Sequence, residues 1–246
     1  MIFQSTNITT LLRFLFKSKR NEVSPERKFW IYASGEFFLV FLGILIALQV
    51  DNWNHNRQER KLEKVLLSEM RANLEQDLVD IDFNLLVKRN CIQSNQVVME
   101  YLDTDLPWND SLIRHFGGLI QGTVFANNTS TYESLKSIGI DLVRNDELRQ
   151  LITFVYSARY KHIDAKEAES LQANFDFLYP TLKQHLEFLP RGEAIPLDTL
   201  TIRQDPVFRS DLRTYRHLVG LAITAYEITR QSVVQLIEQL EIEVGM

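Results

Sequence analysis

The stretch GEFFLVFLGILIALQVDNWN, from Gly35 to Asn54, decides how the rest of the sequence is interpreted. Its first sixteen residues belong to an apolar run of 22 residues, 29–50, in which Glu36 is the only charged residue. At about 1.5 Å per residue, a helix of this length reaches roughly 33 Å, close to the hydrocarbon core of about 30 Å. The length therefore predicts a membrane-spanning helix.

Aromatic residues mark both ends of this run. Trp30 and Tyr32 lie near one end and Trp53 near the other, and such amphipathic rings favour the headgroup region as interface anchors. A signal peptide is a poor alternative, because 28 residues precede the run and the segment 47–50 has no small-x-small cleavage site. The sequence predicts an uncleaved anchor that contacts the lipid bilayer.

The flanking cations predict the orientation of the anchor. Six basic residues precede it, Arg13, Lys17, Lys19, Arg20, Arg27 and Lys28, and four follow it closely, Arg57, Arg60, Lys61 and Lys64. The positive-inside rule then places the N-terminus in the cytoplasm. We expect a single-pass protein of the inner (cytoplasmic) membrane, with a short basic cytoplasmic segment 1–28, a transmembrane helix 29–50 and an extracytoplasmic, periplasmic helical bundle 51–246.

The composition beyond the anchor restricts the classes of partner. From residue 51 onward the chain holds 21 basic and 29 acidic residues, and this acidic balance argues against nucleic acid. Cys91 is the single cysteine, so an intrachain disulfide framework is excluded. A lone cysteine is compatible with either a reducing or an oxidising compartment.

Two segments resemble an uncharacterised family of bacterial single-span membrane proteins. Residues 35–61, GEFFLVFLGILIALQVDNWNHNRQERK, resemble its N-terminal signature G-E-x-x-L-V-x-x-G-I-L-I-A-L-x-x-N-N-W-N, with Asp51 in place of the first asparagine. Residues 130–152, STYESLKSIGIDLVRNDELRQLI, resemble its middle segment T-Y-x-x-L-K-x-x-G. The resemblance implies a membrane location and a helical build, and it supplies no activity or functional residues.

Three long helical tracts follow the anchor, at about 52–103, 145–189 and 205 to near the C-terminus. Asn145 and Asp205 are plausible N-caps, and Pro180 should kink or divide the second tract. The third tract carries the strongest periodic signal, an apolar stripe in steps of four and three that predicts a bundle seam: Phe208, Leu212, Tyr215, Val219, Ala222, Tyr226, Thr229, Val233, Leu236 and Leu240.

Short helices at about 109–121 and 130–139 complete the expected architecture, and we found no strand signal. The predicted fold class is all-α, with one N-terminal transmembrane helix followed by a bundle of three long helices with short accessory helices. Such a fold usually places functional side chains between facing helices.

Motifs for catalysis, metals and cofactors are not found in the sequence. The five histidines form no His-x-x-x-His pair, and there is no Glu-x-x-His, phosphate loop or Gly-x-Ser-x-Gly. Cys91 has no obvious base near it in sequence, which favours a structural thiol over a nucleophile. We therefore expect no catalytic residues, no metal and no cofactor.

Two features remain as candidate binding sites. Tyr156, Arg159, Tyr160 and His162 cluster where the apolar pattern of the second tract lapses; they are weak candidates for binding an anion or a partner, and an ordinary solvated helix face is the alternative. Glu36, Gly43 and Ala47 share one face of the anchor. Because Gly43 and Ala47 form a small-x-x-x-small pair, this face favours packing against a second copy or a membrane protein partner. A snorkelling Glu36 beside incidental small residues is the alternative.

These observations leave two function classes. The first is a membrane-anchored helical envelope protein with a non-enzymatic role in interaction, scaffolding or sensing. The second is an enzyme or enzyme subunit whose site is assembled between bundle helices. An extended exposed apolar face would favour the first class, and a deep polar pocket would favour the second.

Overall fold

The computed structural model describes residues 25–104, 106–120 and 122–245, and the side chains within them except those of residues 25–28, 31 and 32. The helices are α1 Pro25–Asp103, α2 Leu112–Gly117, α3 Ser130–Ile138, α4 Asp146–Phe154, α5 Tyr160–Ala173, α6 Tyr179–His185, α7 Thr199–Gln204 and α8 Pro206–Val244. The strands are β1 Leu186–Leu189 and β2 Glu193–Pro196. Two π-helical turns, Val155–Arg159 and Asn174–Leu178, join α4 to α5 and α5 to α6. The all-α prediction is confirmed.

Helix α1 contains 79 residues and includes both the predicted anchor and the predicted first long tract. No proline or glycine occurs between Gly43 and Pro107, so nothing in the sequence interrupts backbone hydrogen bonding over this length. Among the described helices, α1 is the one whose length and composition would allow it to cross a membrane, and none of its apolar window is buried. The chain divides into two compact units, Met1–Gln58 and Glu59–Met246.

Capping interactions begin the later helices where the sequence predicts them. The Asn145 side chain accepts hydrogen bonds from the backbone N–H groups of Glu147 and Leu148, and Asp205 accepts from those of Val207 and Phe208. The predicted division near Pro180 is also observed, since Pro180 lies in the first turn of α6, directly after a π-helical turn. The caps at Asn145 and Asp205 satisfy backbone N–H groups that the first turn of each helix cannot pair internally.

The core is formed by the predicted stripe of α8 together with α1, α4 and α5. All ten stripe residues are buried. One cluster joins side chains of five helices, α1, α3, α4, α5 and α8, and includes Met70, Leu74, Ile81, Leu135, Ile152, Ile163, Tyr226, Val233 and Leu236. A second cluster includes Val98, Phe116, Leu119, Leu182, Phe208 and Leu212. The seam predicted from the sequence therefore lies within one chain.

A small β-hairpin lies between α6 and α7, where only an irregular connector was expected. Strands β1 and β2 pair antiparallel, and Arg191 and Gly192 turn the chain with φ values of 67° and 73°. Helix α2 approaches this turn so closely that a Cβ at Gly117 would lie 2.0 Å from the carbonyl oxygen of Gly192. Strands of four residues give little signal in the sequence, and a two-stranded hairpin is only marginally stable unless it packs against another element, as this one does against α2.

Candidate functional site

Helix α1 carries buried polar side chains on its inward face. Glu63, Asp77, Asn84, Lys88 and Asn95 are all buried, although charged residues are rarely buried without partners. Each of them has a defined hydrogen-bond partner in another part of the structure or one turn away along α1. The charges concentrate near the loop 122–129, which leads from α2 to α3.

Three carboxylates hold this loop by its backbone. Asn128 N donates to Asp77 Oδ1 at 2.8 Å, Ala126 N donates to Asp80 Oδ2 at 3.0 Å, and Phe125 N donates to Glu167 Oε2 at 3.0 Å. Hydrogen bonds to ionised acceptors are stronger than neutral ones, so they can fix a segment that has no regular secondary structure. We call residues 122–129 the clasped loop.

Lys88 joins the clasped loop to α5 and α8. Its Nζ donates to Thr123 O and to Glu167 Oε1, both at 3.0 Å, and lies 5.0 Å from the centre of the Tyr226 ring. The Lys88 and Glu167 side chains are each only 10% exposed. Glu167 Oε1 also accepts from the Tyr226 hydroxyl. The pair is therefore buried with its hydrogen-bonding capacity used inside the protein.

A tyrosine completes the arrangement around Asp77. The Tyr160 hydroxyl donates to Asp77 Oδ2 at 2.6 Å. Burial raises the pKa of Asp77 above its ordinary value, while the bonds from Tyr160 and Asn128 act in the opposite direction. Burial is also the main cause that raises the pKa of Tyr160, and the nearby Asp77 adds to it. Tyr160 thus serves as a neutral donor to a buried carboxyl group.

A pocket of about 270 Å³ lies beside the Lys88–Glu167 pair. Its walls come from α1, the clasped loop, α5 with the following π-helical turn, and α8. They consist of Lys88, Ile120, Gly122, Thr123, Val124, Glu167, Ser170, Leu171, Asn174, Tyr215, Val219 and Ala222. Small-molecule pockets usually measure about 300–1,000 Å³, so this one can accept only a small ligand.

The arrangement around the pocket does not resemble an activated catalytic group. The Cys91 thiol is buried, donates towards Leu119 O at 3.7 Å, and has a pKa raised to about 11 by burial. A thiol of this kind is protonated at neutral pH and is a poor nucleophile. Within the described ranges, no group of three or more His, Cys, Asp and Glu side chains could hold a metal ion.

The structure separates the four weak binding candidates of the second tract. Tyr156 and Tyr160 are core residues, and the Tyr156 ring stacks on Tyr132 with ring centres 4.5 Å apart. The Arg159 guanidinium lies 4.5 Å from the centre of the Phe154 ring. His162 is exposed. The four residues therefore do not share one surface, and a binding role for them stays a prediction.

The predicted packing face of α1 is exposed at all three positions, Glu36, Gly43 and Ala47. No described atom lies within 4 Å of a Cβ built on Gly43. The interface residues Trp30 and Trp53 are also exposed, and Arg57 lies over the Trp53 ring at 5.9 Å. The side chains of Tyr32, Arg27 and Lys28, and the whole of residues 13, 17, 19 and 20, lie outside the described part of the chain. Membrane packing and orientation thus stay predictions.

The clasped loop and its ion pair were not identified from the sequence. Asp77, Asn84 and Lys88 follow one another in steps of seven and four, so they share one face of α1. That face is adjacent to the apolar line through Met70 and Leu74. Charged residues placed at the border of an apolar stripe were the available signal, but the partners of Asp77 and Lys88 lie 35 to 83 positions away in the sequence.

A search against protein families gives one match, to a family described as "Family of unknown function (DUF6090)", over residues 36–172. The matched range includes Lys88, the clasped loop and Glu167. No curated protein and no solved structure matches the chain. The prediction of an uncharacterised family is confirmed, whereas its N-terminal signature and membrane location remain predictions.

Proposed function

The chain belongs to the DUF6090 family of unknown function, and we propose from its own residues that it is a membrane-anchored helical module that acts by non-enzymatic interaction. In this proposal residues 29–50 cross the inner (cytoplasmic) membrane once, the N-terminus is cytoplasmic, and residues 51–246 form a periplasmic domain. The domain recruits or senses a partner in the cell envelope.

The observation that carries this proposal is the exposure of the apolar part of α1. Phe37, Leu39 and Ile46 are each more than 60% exposed, and the other large apolar side chains of residues 37–50 are exposed as well. Leaving such a side chain in water rather than burying it costs roughly 1.5–3 kcal/mol. A segment of this length needs an external apolar environment, and its 22 residues suit a bilayer.

A second exposed apolar face supports interaction rather than catalysis. On α1, Val65, Val79 and Leu86 repeat at intervals of seven or fourteen residues, and Phe83 lies on the same side. Val79 is 71% exposed and Phe83 55% exposed. Val79, Phe83 and Leu86 lie within two turns of one another, and exposed apolar side chains grouped in this way mark protein interaction sites more often than isolated ones do. A protein partner or a second copy would cover it.

Membrane fractionation with a topology reporter tests the anchor. The full chain should remain in the membrane pellet after alkaline carbonate washing, and a reporter active only outside the cytoplasm should be active when fused after Met246. Replacing Leu42 and Leu45 with aspartate should release the chain, whereas the conservative change Leu45→Ile should not. Recovery of the unmodified chain in the soluble fraction would refute the anchor, and activity of a cytoplasmic reporter would reverse the orientation.

Association through the anchor is tested separately. Gly43→Leu should weaken association in membranes because it separates closely packed helices, while Leu45→Ile lies off the Glu36, Gly43 and Ala47 face. Glu36→Gln should be milder than Glu36→Leu, because an amide can still form hydrogen bonds across helices. Equal association of all four variants would leave the snorkelling explanation of Glu36.

An enzyme or enzyme subunit is the alternative, and the pocket beside Lys88 is the observation that favours it. Lys88 and Glu167, however, already bond each other and the clasped loop, and Cys91 is protonated at neutral pH. A structure with a partner bound separates the two functions. A partner on Val79, Phe83 and Leu86 supports interaction, whereas a partner that inserts a reacting group into the pocket supports the alternative.

A further inference from the structure

Helix α1 carries a regular line of exposed residues on the side away from the core. The line starts at Leu62, and alternating steps of three and four residues lead through ten exposed positions to Gln93. These steps are the spacing of a and d positions in a coiled coil, with Leu62 at an a position and Val65 at a d position. We call these ten residues the outer line.

The buried face of α1 follows the same repeat. Glu63, Met70, Asp77, Asn84 and Cys91 lie seven residues apart and are all buried. On an ideal straight α-helix such positions would rotate by about 20° in each heptad, or roughly 80° over this length. Because the core contacts keep the heptad spacing, the outer line on the same helix keeps it too. The outer line is therefore aligned in advance for a second helix with a heptad repeat.

The composition of the outer line differs from that of a solvated helix face. Residues 59–103 include 15 charged side chains, yet the seven outer-line positions from Ala72 to Gln93 include none. At their centre Val79, Phe83 and Leu86 are 71%, 55% and 57% exposed. A solvated face normally carries charged and polar residues, so this composition favours a surface that a partner covers.

The charges that border the outer line are paired within the chain. Asp82 pairs with Arg230 at 2.6 Å, and Arg89 pairs with Glu227 at 2.7 Å. A strongly acidic or basic partner would therefore gain little from this surface. Its complement is a helix that is itself uncharged along the contact line, and α1 of a second copy has this property.

The polar residues of the outer line can pair with their own copies. Gln76, Asn90 and Gln93 each end in a carboxamide, which provides both donors and an acceptor. When two identical helices pack in parallel and in register, each a or d residue meets the same residue of the other helix. A buried Asn at an a position, which Asn90 would be, is a known device that fixes register and the number of helices.

We propose that the outer line of α1 packs in parallel against the outer line of a second copy of this chain, as a two-stranded coiled coil centred on Val79, Phe83 and Leu86. This inference rests on the proposed interaction function and names its partner. The line is about 46 Å long, and a strip about 10 Å wide covers roughly 900 Å² on the two copies together. Stable interfaces usually bury about 1,200–2,000 Å². The contact is therefore weak in solution, and confinement of both copies to one membrane would increase its occupancy.

Disulfide cross-linking of the full chain in isolated membranes tests the contact. Val79→Cys should form a covalent dimer on oxidation with copper–phenanthroline, because parallel d positions bring the two introduced thiols together. His162→Cys, exposed on α5, is the control and should give no more dimer than the unmodified chain, whose Cys91 is buried. Addition of Phe83→Asp to the Val79→Cys chain should lower the dimer yield at least about fivefold, and urea unfolding checks that this chain is folded.

Glu69 provides a test of direction, because it is the only charged residue of the outer line. In a parallel pair the two Glu69 side chains face each other, whereas in an antiparallel pair each would lie near the opposite end of the line. Chains with Val79→Cys, with and without Glu69→Lys, are given different tags and co-expressed. The mixed dimer should exceed its statistical share by about two- to fivefold, since a lysine then faces Glu69.

Three outcomes would overturn the proposal. A dimer yield for Val79→Cys no higher than for His162→Cys would refute contact between copies through this line. A yield that Phe83→Asp leaves unchanged in a folded chain would mean that the dimer arises from random collision. Mixed dimers at the statistical share would refute the parallel arrangement. Failure of the anchor is recognised separately, because the chain would then appear in the soluble fraction, where the same cross-linking is performed.

Discussion

Two parts of helix α1 place opposite kinds of side chain in opposite environments. Residues 37–50 are almost all apolar and are exposed, whereas Asp77, Asn84 and Lys88 are polar and buried. Asp77 and Lys88 are stabilised by partners from the clasped loop and α5, at distances of about 3 Å. The exposed group has no comparable cover among the described residues. A single helix can therefore depend on two different environments, each of which must be supplied from outside the helix.

The comparison also shows that apolar and charged side chains of α1 need different surroundings. An apolar side chain needs only the exclusion of water, so lipid or any apolar surface can cover it. A buried charge needs specific donors and acceptors in a fixed geometry, because an unpaired buried charge is strongly unfavourable. We expect substitutions in the polar part of α1 to affect folding much more than substitutions in its apolar part.

The largest difference is expected between a charge inserted into the core and a charge inserted into the exposed apolar part of α1. Val233→Asp places an unpaired charge in the core cluster of α8 and should cost more than about 4 kcal/mol, enough to unfold many domains. Leu45→Asp, in the exposed apolar part of α1, should leave the free energy of unfolding of the bundle nearly unchanged. Urea unfolding of the full chain in nanodiscs, followed by circular dichroism at 222 nm, measures both. Similar losses in the two variants would contradict the comparison.

Removal of one partner from the buried ion pair should have the next largest effect. Lys88→Met leaves Glu167 buried without its cation and should lower the free energy of unfolding by about 3–5 kcal/mol. Arg89→Met is a matched control one residue away, because Arg89 forms an exposed pair with Glu227 that should contribute at most about 1 kcal/mol. Denaturant unfolding separates them, and equal losses would show that burial of Lys88 is unimportant.

Alkaline pH should destabilise the bundle through its buried titratable groups. The pKa of the native Cys91 thiol is raised by burial to about 11, from an ordinary value of 9.0. Between these values the unfolded chain binds fewer protons than the native chain, so the free energy of unfolding falls by about 1.4 kcal/mol per pH unit for this group.

Burial likewise raises the pKa values of Tyr160 and Tyr226 above their ordinary value of 10.0. Above about pH 10 these tyrosines are deprotonated more readily in the unfolded chain, which lowers the free energy of unfolding further. Unfolding measured from pH 8 to pH 10.5 should show a continuous loss of stability. In Cys91→Ala the free energy of unfolding should fall less steeply between pH 9 and pH 10, because the contribution of the thiol is absent. An unchanged slope in this variant would mean that the thiol titrates equally in the native and unfolded chains.

The smallest effect is expected at a helix cap outside α1. Asn145→Ala removes two hydrogen bonds to the first turn of α4 and one donated to Glu243, and should cost about 1 kcal/mol. Asn145→Ser keeps a capping oxygen without bringing a second carboxylate beside Glu243, and should lose less. Thermal unfolding measures the difference. If both variants were as stable as the unmodified chain, the cap would contribute nothing measurable.

Local patterns in the sequence were sufficient for much of the fold. The stripe from Phe208 to Leu240 was predicted residue by residue, because a regular apolar repeat on a helix has only one face to bury. The caps at Asn145 and Asp205 were equally predictable, since they depend on contacts two and three residues away. The membrane-compatible length of residues 29–50 also follows from local composition.

Other positions depend on contacts that no local pattern contains. Arg209 lies off the apolar stripe, so the sequence alone predicts that its substitution matters little. In the structure it donates to the carbonyl oxygens of Leu102 and Arg203 and pairs with Asp103. Arg209→Glu is therefore a disruptive change. The hairpin β1–β2 is similar, because its position is set by the close approach of Gly117 to the turn at Gly192.

By itself, the sequence determined the helical class, the stripe of α8, the caps and an apolar segment long enough to cross a bilayer. These features depend on residues within a few turns of one another. The tertiary structure alone decided that Asp77, Lys88 and Glu167 meet around the clasped loop, and that a pocket lies beside the Lys88–Glu167 pair. The physical reason is that a carboxylate or an ammonium group can be buried only where distant segments bring it a partner.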